Sequence, residues 1–294
     1  MSKKHKNEVF VYGVFAATGK QGGATATALL DLGMPVRALV RRPESEAAKR
    51  LAERGAQVVR ADLDEPDTLA PAMQGLGALW FMTTPFGTDG AAAEIGQGKA
   101  LADAAIEAGV ARIVFSSVGS AERDTGIPHF DSKYQVEREL QNLGSGVHVT
   151  VIRPVFFMDN LLGMAQKDND GSIVVRMPMP GDVPLQMIAV DDIGRVSAAV
   201  LQDPELVPEG VIEIAADELT GEAVAEVIAE AASVPTRYEA LPLESIQDQE
   251  EMFTMFRWLA QTDAYAANIE QTREIDPNLK DLSVWISDGQ LFRD

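Results

Sequence analysis

Residues 16 to 23, with the sequence AATGKQGG, have the composition of a turn that binds a phosphate group. Gly19 and Gly22 permit close approach of the backbone, and the free N–H groups at the start of a following helix attract negative charge. The spacing matches a GxxGxxG pattern in which Ala16 replaces the first glycine. Because any tight turn between a strand and a helix favours glycine, the neighbouring residues must decide between a binding turn and a structural one.

The residues around this turn predict a strand before it and a helix after it. Apolar, β-branched and aromatic residues dominate positions 9 to 15, which is typical of a buried strand. An alanine-rich run at positions 24 to 32 is typical of a helix. Strand, glycine turn and helix form the opening of a dinucleotide-binding unit, so the sequence favours a binding turn.

The cofactor preference is predicted from the two residues that follow the second predicted strand, over 35–40. In a protein that binds NAD, an acidic residue near this place hydrogen-bonds the ribose 2′-hydroxyl. Arg41 and Arg42 occupy the place here. Guanidinium groups pair with phosphate, so the sequence favours NADP(H) over NAD(H), with an exposed arginine pair at a strand end as the alternative.

Further along the chain, predicted strands alternate with predicted helices, the pattern of right-handed βαβ crossovers and a parallel sheet. We therefore predict an α/β fold, a Rossmann-type doubly wound parallel sheet with a small α/β C-terminal subdomain. The predicted boundaries are 1–155 for the dinucleotide-binding domain and 156–294 for the subdomain, with 187–203 returning to the first domain. Ligands of such sheets bind beyond the carboxyl ends of the strands. This rule adds candidate cofactor-binding residues: Asp62, Leu63, Thr83, Thr84, Pro85 and Ser116.

Composition excludes several classes of function. The 294 residues contain no cysteine, so the chain has no thiolate nucleophile and no cysteine metal site. Of the three histidines, His5 lies in the N-terminal tail and His148 at the start of a predicted strand, so we predict no metal site. Ser116 lacks the GxSxG context of a hydrolase nucleophile. Asp62 has a second interpretation as a helix cap, and Asp191 and Asp192 are interpreted as helix caps rather than a catalytic pair.

The negative charge is concentrated in the C-terminal third. The chain has a net charge of −20, and from Asp203 onward it holds 21 acidic and 5 basic residues. Such a surface repels nucleic acids and anionic membranes, so we predict neither as a direct partner. No apolar run approaches the roughly 20 residues that span a bilayer. The basic residues 1–7 lead into a strand rather than a signal peptide, and we expect a cytoplasmic protein.

Six stretches resemble the NmrA-like branch of the atypical short-chain dehydrogenases/reductases: ATGKQGG (17–23), VRALVRRP (36–43), SSV (116–118), PHFDSK (128–133), IRPVFFMDNL (152–161) and VDDIGR (190–195). The resemblance implies a Rossmann fold that binds NADP(H). Members of this branch either reduce quinones, dyes or related conjugated acceptors, or bind the dinucleotide as redox-sensing regulators. The cofactor-binding residues that the resemblance implies are Ala17, Thr18, Gly19, Gln21 and Gly22 in the turn, Arg41 or Arg42, Lys133 near the nicotinamide ribose, and Pro154 and Val155 near the carboxamide.

The chain departs from the superfamily at the catalytic tyrosine. The usual pair is Tyr-x-x-x-Lys, and counting back from Lys133 places His129 at the tyrosine position. Histidine is a competent acid near neutral pH. The same PHF tripeptide, however, is common in this branch in proteins for which no turnover has been shown, which favours His129 as a loop residue. Lys133 itself is another candidate for proton transfer, and Ser116 or Ser117 could take the place of the superfamily's serine.

Two functions remain open. The first is an NADPH-dependent oxidoreductase that reduces a quinone or another conjugated small molecule, in a cleft walled by Phe86, Phe156, Phe157 and an amphipathic helix over 244–261. Such acceptors take up hydride readily, so no strong protein acid is required. The second is a non-catalytic NADP(H) sensor that acts through a protein partner. Lys133 and the apolar cleft favour the enzyme, whereas the missing tyrosine favours the sensor.

Overall fold

The structure is a computed structural model that describes residues 10–85, 90–144, 146–261, 263–289 and 291. Within these residues the strands are β1 (Val11–Phe15), β2 (Val36–Val40), β3 (Gln57–Arg60), β4 (Leu76–Met82), β5 (Arg112–Ser116), β6 (His148–Pro154), β7 (Phe156–Phe157), β8 (Ala165–Lys167), β9 (Ile173–Met177), β10 (Pro184–Ile188), β11 (Val211–Ile214), β12 (Asp217–Thr220) and β13 (Thr236–Ala240). The α-helices are α1 (Lys20–Asp31), α2 (Glu46–Glu53), α3 (Leu69–Met73), α4 (Gly90–Glu107), α5 (Pro128–Gln141), α6 (Leu161–Met164), α7 (Val190–Gln202), α8 (Gly221–Ala232), α9 (Glu250–Leu259), α10 (Ile269–Ile275) and α11 (Leu282–Ser287). Short 3₁₀ helices cover Pro66–Thr68, Ala121–Arg123, Met158–Asn160, Pro204–Leu206 and Leu243–Ile246.

The main sheet has seven parallel strands in the order β11-β6-β5-β4-β1-β2-β3. Helices cover both of its faces, so the predicted Rossmann-type α/β fold is confirmed. Strand β1 pairs with β2 on one side and with β4 on the other. The strand order therefore reverses beside the glycine turn. At such a switch point a crevice opens beyond the carboxyl ends of the strands, and ligands bind there.

Both faces of this sheet are apolar, which explains the continuous apolar runs in the central strands. In β4, Trp80 lies in the core on the side of α1 and α7, and its indole N–H donates to Ser197 Oγ at 3.1 Å. The next residue, Phe81, packs against Phe115 on the opposite side, with ring centroids 5.2 Å apart. The adjacent side chains of Trp80 and Phe81 thus pack into two separate hydrophobic cores, one on each face of the sheet.

Elements from beyond residue 155 complete the first domain. Strand β11 is the last strand of the main sheet and pairs with β6. Helix α7 packs on α1, and a Cβ atom on Gly194 would lie 2.7 Å from Cβ of Ala24, so the two helices touch at a point where no side chain fits. The domain boundaries stay a prediction, but the first domain draws both on the predicted return at 187–203 and on β11.

The rest of the chain forms two three-stranded sheets, β12-β10-β7 and β13-β9-β8. The helix predicted over 244–261 is divided into the 3₁₀ helix Leu243–Ile246 and α9. Strands β8, β12 and β13 consist mostly of exposed or half-buried polar residues, so they lack the continuous apolar run that marks the central strands of the main sheet.

The interpretation of Asp191 and Asp192 as helix caps is wrong. The N-cap of α7 is Ala189, and the N–H of Val190 donates to Asp159 Oδ2 at 2.9 Å. Asp192 is instead fully buried, where its carboxylate accepts hydrogen bonds from the Arg195 guanidinium and from the Lys280 N–H at 2.8 Å. This carboxylate therefore ties α7 to the C-terminal segment.

The sequence predicts neither a membrane-spanning segment nor a metal site, and the described part of the chain bears on both. There, no helix has both the length and the apolar composition to cross a membrane. In the same residues, no three histidine, aspartate or glutamate side chains converge as they would around a metal ion. His129 lies in α5 and His148 begins β6, so these two histidines are on different elements.

Candidate active site

The glycine turn has the backbone conformation of a phosphate-binding loop although its first glycine is replaced. Ala16 adopts a φ of 52°, in the left-handed region that glycine favours. Its carbonyl accepts a hydrogen bond from the Gly19 N–H at 2.8 Å. A Cβ atom on Gly22 would lie 2.8 Å from the carbonyl carbon of Ala16, so only glycine fits there. The replacement at position 16 thus preserves the turn.

The start of α1 is suited to an anion. Gly19 is the N-cap and supplies no side-chain acceptor, which leaves the first N–H groups of the helix without a side-chain partner. Thr18 and Gly19 are exposed, whereas Ala17 and Gln21 are buried against the sheet. The helix dipole and these N–H groups favour negative charge. The turn therefore fits the pyrophosphate of a dinucleotide.

Arg41 and Arg42 follow β2 at its carboxyl end, on the same edge of the sheet as the turn. Both are exposed, and neither side chain makes a hydrogen bond or an ion pair with another described residue. Nearby, the Asp62 carboxylate accepts the Asp64 N–H at 3.2 Å and shapes the turn after β3, while Leu63 is half-buried. The alternative role of Asp62 as a helix cap is wrong, because Glu65 holds the N-cap of the next helix.

Lys133 is held in a buried polar network that the sequence does not reveal. Its Nζ donates to Glu94 Oε1 at 2.6 Å and to the Thr83 carbonyl at 2.9 Å. Glu94 is fully buried and also accepts hydrogen bonds from the hydroxyls of Thr83, at 2.8 Å, and Ser132. Burial lowers the pKa of Lys133, and the Glu94 carboxylate opposes that effect. Two of the three ammonium N–H groups are thus committed to the protein.

His129 is the second residue of α5, so its interpretation as a loop residue is wrong. Its ring Nδ1 lies 2.8 Å from Glu251 Oε1, and its backbone N–H donates to the same oxygen at 3.1 Å. Burial lowers the pKa of His129, and Glu251 partly opposes that effect. Glu251 belongs to α9, and nothing in its local sequence marks it as a partner of His129.

The two candidate serines have different surroundings. Ser116 Oγ donates to Gln21 Oε1 at 2.7 Å, which joins the end of β5 to the first turn of α1. Ser117 Oγ is buried and has no hydrogen-bond partner among the described residues. A buried hydroxyl without a partner costs about 1–3 kcal/mol, which a ligand can recover. Of the two, Ser117 is therefore the one whose hydroxyl is left for a ligand.

Of these residues, Ser117, His129 and Lys133 line a cleft of about 600 Å³ at the switch point of the main sheet. Its polar lining includes Gln21, Thr83, Thr84, Ser117, His129, Lys133, Asn160 and Tyr265. Its apolar lining includes Met82, Pro85, Val118, Phe130, Pro154, Val155, Phe156, Phe157, Met164, Met252, Met255 and Phe256. Helix α9 therefore forms a wall, as the sequence predicts. Phe86, the remaining predicted wall residue, lies outside the described residues.

The turn after β1 and the apolar cleft at the switch point define a Rossmann-type α/β protein. The model of the NmrA-like family matches residues 10–282. The chain belongs to the NmrA-like family.

The chain is similar to several curated proteins. One is the NAD(P)H azoreductase of Xenophilus azovorans, which is 32% identical over 231 residues that cover 79% of this chain and 77% of that protein. Another is the oxidoreductase FrzB of Cladobotryum sp, which is 30% identical over 223 residues. That match covers 67% of this chain and 66% of FrzB, so the chain spans about two thirds of its length.

Among solved structures, the fold is similar to that of NmrA, a negative transcriptional regulator solved in complex with NAD and with NADP. The TM-score is 0.81 at 18% identity, over 96% of this chain and 95% of NmrA. At this identity the similarity establishes the fold.

Proposed function

We propose that this protein binds a nicotinamide dinucleotide, NADP(H) in preference to NAD(H), and reduces a quinone or a related conjugated small molecule. The observation that carries the proposal is the position of Gln21. This residue belongs to the first turn of α1 and also lines the cleft. A dinucleotide whose pyrophosphate lies on the turn would therefore extend directly into the cleft.

Each part of the site has a role in this proposal. The N–H groups that follow Gly19 would bind the pyrophosphate, and Arg41 and Arg42 would bind a 2′-phosphate. Lys133 would donate its remaining N–H to the nicotinamide ribose, with Pro154 and Val155 beside the carboxamide. Bound in this way, the reduced nicotinamide supplies a hydride.

The lining of the cleft supports a planar, conjugated acceptor. Phe156, Phe157 and Phe256 offer aromatic surfaces, and Met252 and Met255 are flexible side chains that adapt to varied shapes. These residues exclude water and orient an acceptor against the cofactor, which is the main requirement for hydride transfer to an easily reduced compound. The similarity to an azoreductase supports the same class of acceptor.

The proposal is tested by fluorescence titration with NADPH and NADH, followed by addition of a naphthoquinone or an azo dye. We expect tight NADPH binding and catalytic loss of its fluorescence after the acceptor is added. Gly22→Ala should abolish binding, because its Cβ would clash with the backbone of Ala16. Gly23→Ala is the matched control, since its Cβ would lie 3.4 Å from the Ala17 carbonyl oxygen, an ordinary contact. Absence of binding in the wild type would contradict the proposal.

A second candidate is a redox sensor that binds NADP(H) without turnover and acts through a protein partner. The absence of a tyrosine four residues before Lys133 favours it. This candidate predicts stable NADPH fluorescence with every acceptor and a partner that is retained in only one redox state of the cofactor.

A further inference from the structure

Building on the proposed function, we propose that His129 donates the proton to the acceptor and that Glu251 positions its ring for this transfer. His129 would then be a catalytic residue and Glu251 a positioning residue. The pair joins the first turn of α5 to α9, so the C-terminal part of the chain would take a direct part in the chemistry.

The geometry fixes the ring at the edge of the cleft. One carboxylate oxygen, Glu251 Oε1, lies 2.8 Å from His129 Nδ1 and accepts the His129 backbone N–H at 3.1 Å. The ring also meets Phe130 edge-on, with centroids 4.8 Å apart, and Phe130 meets Trp258 of α9 in the same manner at 5.7 Å. His129 is only 9% exposed and lines the cleft with Lys133. The imidazole of His129 therefore lines the cleft proposed to bind the acceptor, while Glu251 and Phe130 hold it in place.

The hydrogen bond to Glu251 assigns different tasks to the two ring nitrogens. Nδ1 carries a proton in the bond to the carboxylate, so Nε2 is the nitrogen that gains and loses the catalytic proton. Lys133 is less suited to this role, because its Nζ is bound to Glu94 and to the Thr83 carbonyl. The cleft thus contains an ammonium group held in place by hydrogen bonds, Lys133, and an imidazole that can exchange a proton, His129.

Four charged groups of the described chain act on the imidazole. Glu251 from α9 and Glu94 from α4 favour the imidazolium form, and Lys133 from α5 opposes it. Asp131, also on α5, interacts with it as well. Burial is the largest influence, and the pKa of His129 is lowered overall. The imidazolium form is consequently less populated near neutral pH than it is in an exposed histidine.

The step balances for an azo compound as acceptor. One nitrogen receives a hydride, with two electrons, from the reduced nicotinamide, and the other receives H⁺ from Nε2 of protonated His129. The N=N bond becomes N–N with two new N–H bonds, the nicotinamide is left oxidised, and the imidazolium becomes neutral imidazole. Water then reprotonates the ring. A cationic triarylmethane dye differs, because hydride addition to its central carbon already gives a neutral product and no proton is needed.

This difference provides the kinetic test. Steady-state rates with NADPH are measured for an azo dye and for a cationic triarylmethane dye, in the wild type and in His129→Gln. In the variant, kcat with the azo dye should fall by about 10²- to 10⁴-fold, the usual contribution of general acid catalysis. This fall should be at least tenfold larger than the fall in kcat with the cationic dye. The wild-type kcat with the azo dye should fall as pH rises through the pKa of His129, and this pH dependence should disappear in the variant.

A second measurement does not depend on turnover. The chain has only three histidines, so the imidazole NMR signal of His129 is assigned by its loss in His129→Gln, and its pKa is read from a pH titration of the free protein. Glu251→Gln should lower that pKa by about 1, because the anion beside Nδ1 is removed. Glu250→Gln, which changes an exposed neighbour on the same helix, is the matched control and should leave the pKa unchanged.

The outcomes separate the two proposals. If the wild type reduces both dyes and His129→Gln loses equal activity with each, the assignment of His129 as the acid is overturned while the reductase stands. An unchanged pKa in Glu251→Gln overturns the role of Glu251. If the wild type reduces neither the two dyes nor a naphthoquinone although NADPH binds, the proposed function fails, and the inference fails with it.

Discussion

Glu94 Oε1 lies 2.6 Å from Lys133 Nζ, and the two residues, 39 positions apart in the sequence, form a buried ion pair beside the cleft. The Glu94 carboxylate also accepts the hydroxyls of Thr83 and Ser132. The loop after β4, helix α4 and helix α5 are thus joined at the Glu94 carboxylate. Lys133, which we propose to contact the nicotinamide ribose, is thus oriented by a residue outside every motif that the sequence displays.

The first prediction concerns this ion pair. Glu94→Gln leaves a buried ammonium group without its counter-charge, and we expect it to lower the free energy of unfolding by about 3–5 kcal/mol. Adding Lys133→Met should recover part of that loss, because no buried charge then remains. Urea denaturation measures both effects. Glu107→Gln, on the exposed face of the same helix, is the control. A double variant no more stable than Glu94→Gln would contradict the prediction.

The second prediction concerns cofactor preference. Because Arg41 and Arg42 are exposed and have no partner among the described residues, replacing both with alanine should leave the fold intact. Each charge-assisted hydrogen bond to a 2′-phosphate contributes about 1.5–3 kcal/mol, so NADPH affinity should fall at least tenfold more than NADH affinity. Calorimetric titration with both nucleotides tests this, with Arg50→Ala as the control. Equal losses would exclude the arginines from 2′-phosphate binding.

The third prediction uses two buried hydroxyls. Ser117 Oγ and Thr150 Oγ1 both lack a hydrogen-bond partner among the described residues, but only Ser117 lines the cleft. Ser117→Ala and Thr150→Val should each leave the ligand-free protein as stable as the wild type or about 1 kcal/mol more stable. Only Ser117→Ala should weaken ligand binding, by about 2- to 10-fold in NADPH Kd or acceptor KM. Similar binding losses in both variants would remove the special role of Ser117.

The fourth prediction concerns pH and stability. Burial raises the pKa of Asp192 to about 6, above the value of about 3.9 for an aspartate in an unfolded chain. The folded state therefore holds this proton more tightly, and its stabilising effect is present below about pH 4 and is lost as pH rises through 6. The stability of Asp192→Asn relative to the wild type should increase by up to about 3 kcal/mol between pH 4 and pH 7.

Thermal unfolding across this pH range measures the effect, with Asp191→Asn as the control because Asp191 is the exposed neighbour. The absolute stability of Asp192→Asn also reflects its altered hydrogen bonds to Arg195 and Lys280, so the test is the change in the difference with pH. A difference that stays constant from pH 4 to pH 7 would mean that Asp192 is ionised throughout.

The sequence predicts the parts of this protein that depend on neighbouring residues. The turn at Gly19 and Gly22, and the arginines after β2, follow from strand, turn and helix signals within a few positions. Glu94 and Glu251 could not be found in this way, since their partners are 39 and 122 positions away and only the fold brings them together. The C-terminal strands β8, β12 and β13 were not predicted because their residues are mostly polar and exposed or half-buried, without the apolar run of β1 or β4.

The placement of β11 beside β6 has a consequence for synthesis of the chain. The residues between Pro154 and Val211 must be made before β6 gains its outer neighbour, which at about 5–20 residues per second takes roughly 3–11 seconds. Until then, β6 presents unpaired backbone groups at an open sheet edge, a known template for aggregation. A nascent chain in this interval therefore exposes β6 as an edge strand, which the finished protein covers with β11.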